Sequence, residues 1–546
     1  MELPLLRFAS CFALITLLAC GPTAPEEVVD AGSSEVSEAT YQEPHRPQIH
    51  FSPPANWMND PNGMVYHDGE YHLFYQYYPD STVWGPMHWG HAVSTDLVHW
   101  EHLPVALYPD SLGYIFSGSA VVDNDNTSGL GQNGEAPLVA IYTYHDPEGE
   151  RAGRDDYQYQ GIAYSNDRGR NWTKYEGNPV LPNNTGIRDF RDPKVSWNTA
   201  AGQWVMALAA KDRISFYGSD NLIDWEHLSD FGTDQGSHAG VWECPDLFPL
   251  PVTGANGESK YVLIVSINPG APNGGSGTQY FVGEFDGTTF TVDPSFAEDV
   301  TDEQGVWLDY GRDNYAGVTW SGIPEEDGRR LFIGWMSNWA YANVVPTERW
   351  RSALTVPRQL TLHQTPAGYR VFSQPVRELE QLRTDEFTIP EGEESANRGL
   401  SDRFSVPANA PKELELRYAL SPDSKARFGV ELANGKGEVY RIGYNAASGH
   451  YFSDRNSAGP ATFSEDFVGD LELAPRVMDG AEVSLHLLID RASAELFADG
   501  GATALTEIFF PTEDFNQIRL FTEGDGVRLL EGKGYTLTSI WPQLDR

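Results

Sequence analysis

The sequence predicts an all-β protein: a five-bladed β-propeller followed by a C-terminal β-sandwich. Three observations lead there. Helical periodicity is missing, and short β-rich runs are punctuated by Gly, Asn, Asp and Pro. A hairpin-like unit recurs five times between residues 49 and 373. After about residue 401 the runs alternate polar and apolar residues, as strands with one buried face do.

The chain opens with FASCFALITLLA at residues 8–19, an uncharged apolar run of signal-peptide length, too short to span a bilayer. It ends in LLAC at 17–20, which resembles a bacterial lipobox and implies a leader of residues 1–20 with lipidation at Cys20. Arg7 and Glu2 give the leading segment a weak positive charge, so plain secretion is the alternative. Residues 21–43, rich in Pro, Gly, Ser and Glu, read as a flexible tether. No later run approaches about 18 apolar residues, so membrane contact is expected through the lipid alone, at the bacterial cell envelope or surface.

Residues 44–373 hold the repeats. The copies read DPNGMVYHDGEYHLFYQ from 60, FSGSAVVD at 116 answered by PLVAIYTY at 137, and RDPKVSWNTAAGQWVMALAA from 191. CPDLFPLPVTGANGESKYVLIVSI from 244 and YAGVTWSGIPEEDGRRLFIGWM from 315 follow. A second phrase closes several units, as in AVSTDLVHWEHL from 92, AYSNDRGRNWTKY from 163 and FYGSDNLIDWEHL from 216. Two hairpins per unit make a four-stranded blade, and blades arranged round a channel leave few open sheet edges. First strands would then line the channel, so residues at their starts converge.

Three of those strands begin with an acidic residue beside proline: Asp60-Pro61, Asp192-Pro193 and Glu243-Cys244-Pro245. Alone, an Asp-Pro pair is a turn initiator. Three at equivalent places in a repeat are better explained by a carboxylate cluster, the requirement of glycosidic cleavage. Composition narrows the field further. With 78 acidic against 37 basic residues and a net charge of −41, the chain lacks the Lys and Arg clusters that bind nucleic acid.

The strings WMNDPNG at 57–63, FRDPK at 190–194 and WECPD at 242–246 resemble the signatures of glycoside hydrolase family thirty-two, which contains invertases, levanases and inulinases. FYQ at 74–76, WGPMHWGHAVSTDLVHW at 84–100, FSGSA at 116–120, GWMSNW at 334–339 and LTVPR at 354–358 extend the resemblance over nearly the whole chain after the tether. It implies Asp60 as nucleophile, Glu243 as general acid/base and Asp192 as transition-state stabiliser. It also implies Asn59, Gln76, Ser117 and Arg191 as ligands of fructosyl hydroxyls, with Trp84, Phe116 and Trp335 walling the pocket. The implied activity is retaining exo-hydrolysis of terminal β-fructofuranosyl units of levan, inulin or sucrose. Fructosyl transfer and a non-catalytic glycan-binding lipoprotein are the alternatives.

Neighbouring residues suggest how the roles divide. Trp242, Cys244 and Pro245 give Glu243 an apolar setting that favours its protonated form, while Asn59 and Asn62 could donate to Asp60. No metal or cofactor is expected: His67, His72, His88 and His91 have no HExxH or cysteine cluster beside them, and GGSG at 274–277 belongs to no nucleotide motif.

VRELEQLR at 376–383 is the one helix-like stretch, within a linker assigned to 374–400. Residues 401–546 form the sandwich, with strands LELRYAL, ARFGVEL, VYRIGYN, VSLHLLID, AELFADG, IRLFTEG and YTLTSIW. LLIDRASAELFADGG at 487–501 resembles the family's C-terminal signature, and a stabilising partner for the propeller is the favoured role.

Overall fold

The computed structural model describes residues 40–301, 304–392, 398–400 and 410–541. The leader, Cys20 and the tether up to residue 39 lie outside the described residues. The rest is almost wholly β, in seven sheets that are antiparallel except for one two-residue parallel pair.

Five of these sheets are built on meanders that begin with Asn56–His67, Tyr114–Val122, Phe190–Asn198, Val241–Pro251 and Tyr315–Thr319. Each of these first strands packs against the next, and the fifth packs against the first. They therefore ring a common axis. The ring is closed by Trp350–Arg351, after the fifth inner strand, which pairs in parallel with Asn56–Trp57 of the first sheet. Between the sheets lie the cores. Val139, Ile141 and Ile162 of the second sheet meet Val195, Trp204 and Met206 of the third in one cluster.

The recurring Ser-Asp phrase becomes the turn between third and fourth strands. Ser94 Oγ donates to Asp96, which accepts the amides of Val98 and His99. Ser165 and Asp167 repeat the arrangement, and in the third copy Asn221 is the acceptor. A short polar side chain that accepts from backbone amides ahead of it fixes such a turn locally.

The last two sheets have six strands each and face one another across a core of Leu414, Leu416, Tyr418, Phe428 and Val430. Leu414, Leu416 and Tyr418 are buried while Arg417 is exposed, the alternation that the sequence carries. The stretch assigned to a linker contributes strands: after a 3₁₀ turn at Arg377–Leu382, Arg383–Ile389 pairs with Val527–Leu537, and Arg398–Gly399 edges the other sheet. Two-residue and edge strands offer too little alternation to be read from sequence.

Propeller and sandwich meet across a charged seam. Arg358, fully buried, bonds Asp309 at 2.8 Å and Thr506 at 2.6 Å and also pairs with Glu495. His50 bridges Asp490 and Glu495, each at 2.8 Å. Arg455 reaches Asp313 at 2.7 Å and Glu507 at 3.3 Å. The surfaces come close enough that a Cβ on Gly311 would stand 2.2 Å from the Thr506 backbone.

Candidate active site

Each inner strand loses register with its neighbour at one level. The irregularities at this level lie between Met58 and Pro61, Ile115 and Gly118, Arg191 and Lys194, Glu243 and Asp246, and Tyr315 and Val318, and the first strand has a second one between Asn62 and Val65. They are bulges, and they explain the prolines. Pro61, Pro193 and Pro245 stand inside their strands rather than at the starts, where a bulge spares the ladder the missing N–H. Asp192, Cys244 and Ala316 adopt left-handed φ of 65°, 46° and 52°, an uncommon state for residues with a Cβ.

At that level the strands deliver Asp60, Ser117, Asp192, Glu243 and Tyr315. Ser117 Oγ donates to Asp60 at 2.7 Å, and the Asn59 amide donates at 3.0 Å. Trp57 Nε1 donates to Asn59 Oδ1 at 2.7 Å, which turns the amide nitrogen toward Asp60. Cys244 joins the carboxylates: its amide donates to Asp192 at 3.1 Å and its sulfur lies 3.7 Å from Asp60. Asp60, Asp192 and Glu243 all line one cavity of about 370 Å³, together with Asn59, Gln76, Trp84, Phe116, Ser117 and Arg191. Every sequence-predicted site residue from 59 to 243 therefore reaches it.

Trp335 does not. It is fully buried behind Trp339, ring centroids 4.9 Å apart, and Trp339 lines the cavity instead. Both tryptophans stand in GWMSNW, and no periodicity tells which one faces out. The GGSG loop holds this wall, since Trp339 N donates to Ser276 Oγ and the buried Asn338 amide donates to the Arg312 carbonyl.

The environment of Glu243 also differs from the sequence-based expectation. On a strand, neighbours point to the opposite face. Trp242 turns into the core against Phe281, and Cys244 faces Asp60. Glu243 instead takes two bonds from Arg191, at 3.1 and 2.8 Å, and one from the Tyr315 hydroxyl. Arg191 is steadied in turn by Asp189 at 2.6 Å. Tyr315 carries no signal beyond opening the fifth repeat, Asp189 carries none, and Trp339 is marked only by its place in GWMSNW.

Burial pushes the Asp60 carboxyl up to about 6; Ser117 and Asn59 oppose the rise, while the Glu243 charge adds to it. Asp192 is raised as well, chiefly by burial against the pull of Arg191. Arg191 pairs with Asp189, Asp192 and Glu243 but not with Asp60, and the charges of neighbouring carboxylates make Asp60 and Asp192 harder to ionise.

On the rim, Phe116 stacks on His145 with centroids 4.3 Å apart, and Trp84 meets Phe116 edge-on. The five-residue helix Pro147–Arg151, capped by Asp146, sets Glu150 against His145 at 3.1 Å. The four discounted histidines do not reach this cavity; His72 and His91 form a buried pair 3.1 Å apart.

Sequence and fold comparisons agree with this geometry. Residues 50–375 match the glycosyl hydrolases family 32 N-terminal domain and residues 378–540 match the family 32 C-terminal domain. A levanase of Bacillus subtilis is 49% identical over 518 residues, covering 94% of this chain and 73% of the levanase. An extracellular exo-inulinase of Aspergillus niger is 39% identical, covering 92% of this chain and 96% of its own length. The crystal structure of an exo-inulinase from Aspergillus awamori superposes with a TM-score of 0.82 at 37% identity, covering 92% of this chain and all of that one. The chain belongs to glycosyl hydrolase family 32.

Proposed function

We propose that this family 32 glycoside hydrolase releases terminal β-fructofuranosyl units from fructans and sucrose with retention of configuration. The observation that carries the reading is the meeting of Asp60, Asp192 and Glu243, from three separate sheets, in one cavity. Asp60 attacks the anomeric carbon and forms a fructosyl-enzyme. Glu243 protonates the departing oxygen and then takes a proton from the water that releases fructose. Asp192 accepts sugar hydroxyls and offsets the positive charge that develops on the ring.

Arg191 and Tyr315 hold both oxygens of Glu243, which fixes the acid/base in place before substrate arrives. Asn59, Gln76 and Ser117 supply polar contacts to one sugar, while Trp84, Phe116 and Trp339 enclose it. A cavity of about 370 Å³ around these residues suits removal of one end unit. The exo-inulinase relatives support the same mode.

The apolar run at 8–19, the LLAC at 17–20 and the extracellular relative support export, with lipid attached at Cys20. Cys20→Ser should move the protein from the membrane fraction to the soluble one. The catalytic reading is tested by assaying levan, inulin and sucrose for released fructose and following the anomer by NMR. β-Fructofuranose as the first product supports it, and α-fructofuranose as the first product excludes double displacement.

A further inference from the structure

The five inner strands run in one sense, so each has a second end. Asn56–His67 leads from Asp60 to His67, Phe190–Asn198 from Asp192 to Trp197, and Val241–Pro251 from Glu243 to Phe248. At about 3.3 Å per residue, Trp197 stands roughly 16 Å along the axis from Asp192. A cavity of about 800 Å³ opens there, more than twice the volume of the catalytic one. The buried Lys194–Asp246 pair, 3.2 Å apart, lies at its floor.

Its lining is unlike a solvent funnel. Trp197 is 42% exposed on the rim, its ring braced edge-on by Trp204 at 5.2 Å. Arg330 lies over the Phe248 ring at 4.8 Å, and its buried Nε has no hydrogen-bond partner. Ser196, Asn198 and Asn124 add neutral polar groups. Asp68 and Asp125 on the wall, in a chain of net charge −41, disfavour anions. A fixed aromatic face beside a guanidinium and neutral hydroxyl and amide groups suits an uncharged polyhydroxylated ring, and the volume admits several.

We propose that this far mouth is a second carbohydrate-binding site, which holds an internal stretch of the fructan whose ends the other mouth trims. The identification of the sugar rests on the proposed function. Binding is read by retardation in native gels containing levan or inulin, with Asp60→Asn as the parent to prevent digestion. Trp84→Ala in that parent should leave most of the retardation, and Trp197→Ala should remove most of it with an unchanged circular dichroism spectrum. In the active enzyme, Trp197→Ala should lower kcat/KM on levan or inulin about three- to tenfold and leave sucrose hydrolysis unchanged.

Retardation that survives Trp197→Ala, or a parent that is not retarded, overturns the proposal. Fructan hydrolysis by the wild type in that case leaves the catalytic reading standing. Conversely, Trp197-dependent retardation without hydrolysis of any of the three substrates would overturn the catalytic reading alone.

Discussion

The catalytic channel and the part of the propeller–sandwich seam around Arg358 and His50 are both buried clusters of carboxylates, yet they treat charge in opposite ways. There Arg358 and His50 together answer Asp309, Glu495 and Asp490, whereas further along the seam Arg455 is shared by Asp313, Glu472 and Glu507, and Glu507 is raised by burial as the channel acids are. Burial works to raise Glu495, but Arg358 and His50 outweigh it and hold the carboxyl down at about 2. In the channel, Arg191 is shared by Asp189, Asp192 and Glu243 and pairs with none of Asp60's oxygens, and burial carries Asp60 up to about 6. Paired charges stabilise the fold, whereas underpaired ones keep protons within reach of chemistry.

Linkage gives the contrast a sign. The folded state holds the Asp60 proton more tightly than the unfolded chain does. Its contribution to stability is therefore present below the ordinary value of 3.8 and lost as pH rises through about 6. Glu495 runs the other way: its contribution is present above 4.5 and lost as pH falls toward 2.

The sharpest break of the comparison is Asp60→Asn. It should lower kcat by about 10⁴-fold or more while raising stability at pH 7 by about 1–3 kcal/mol, a gain that disappears below pH 4. Fructose release and chemical denaturation at the two pH values read both halves. Arg358→Met should do the reverse, costing about 3–5 kcal/mol by leaving buried Asp309 without its cation and Glu495 with His50 alone, with kcat per folded molecule little changed. Thermal melting beside an active-site titration separates the two effects.

Third in size is the titration itself. Denaturation of the wild type should lose on the order of 3 kcal/mol through Glu495 as pH falls from 4.5 to 2, while kcat/KM should already fall below pH 6 as Asp60 gains its proton. Coincident acid limbs for stability and activity would erase the distinction. Gly311→Ala forces a methyl group into the Thr506 backbone and should cost about 1–3 kcal/mol, visible as a lower melting temperature. The smallest effect belongs to the channel rim: Trp339→Ala should raise KM for sucrose about tenfold, or about 1.4 kcal/mol, with kcat nearly kept.

The channel was far more legible in sequence than the seam. Asp60, Asp192 and Glu243 stand beside proline in local strings repeated at one level of the fold, so spacing alone placed them together. What failed was orientation. Cys244 and Trp242 flank Glu243 in sequence but turn from it, as neighbours on a strand do, and Trp339, in the turn beyond the strand that buries Trp335, takes the outer place. Tyr315 had no acidic or proline marker. Seam pairs such as His50 with Asp490, or Arg358 with Glu495, join residues hundreds or more than a hundred positions apart with no repeat to relate them.

The two ends of the described body meet in that seam. Tyr41 stacks on Trp541 with ring centroids 3.9 Å apart, Trp541 Nε1 donates to the Pro47 carbonyl, and Ile540 N donates to the Gln48 carbonyl. Topologically, the described body from Thr40 to Trp541 is a loop that lacks only one short splice. A circular permutant joining Thr40 to Trp541 and opening in the exposed turn at 132–135 would keep every sheet intact, so the order in which the blades leave the ribosome is a property of the gene and not a demand of the architecture.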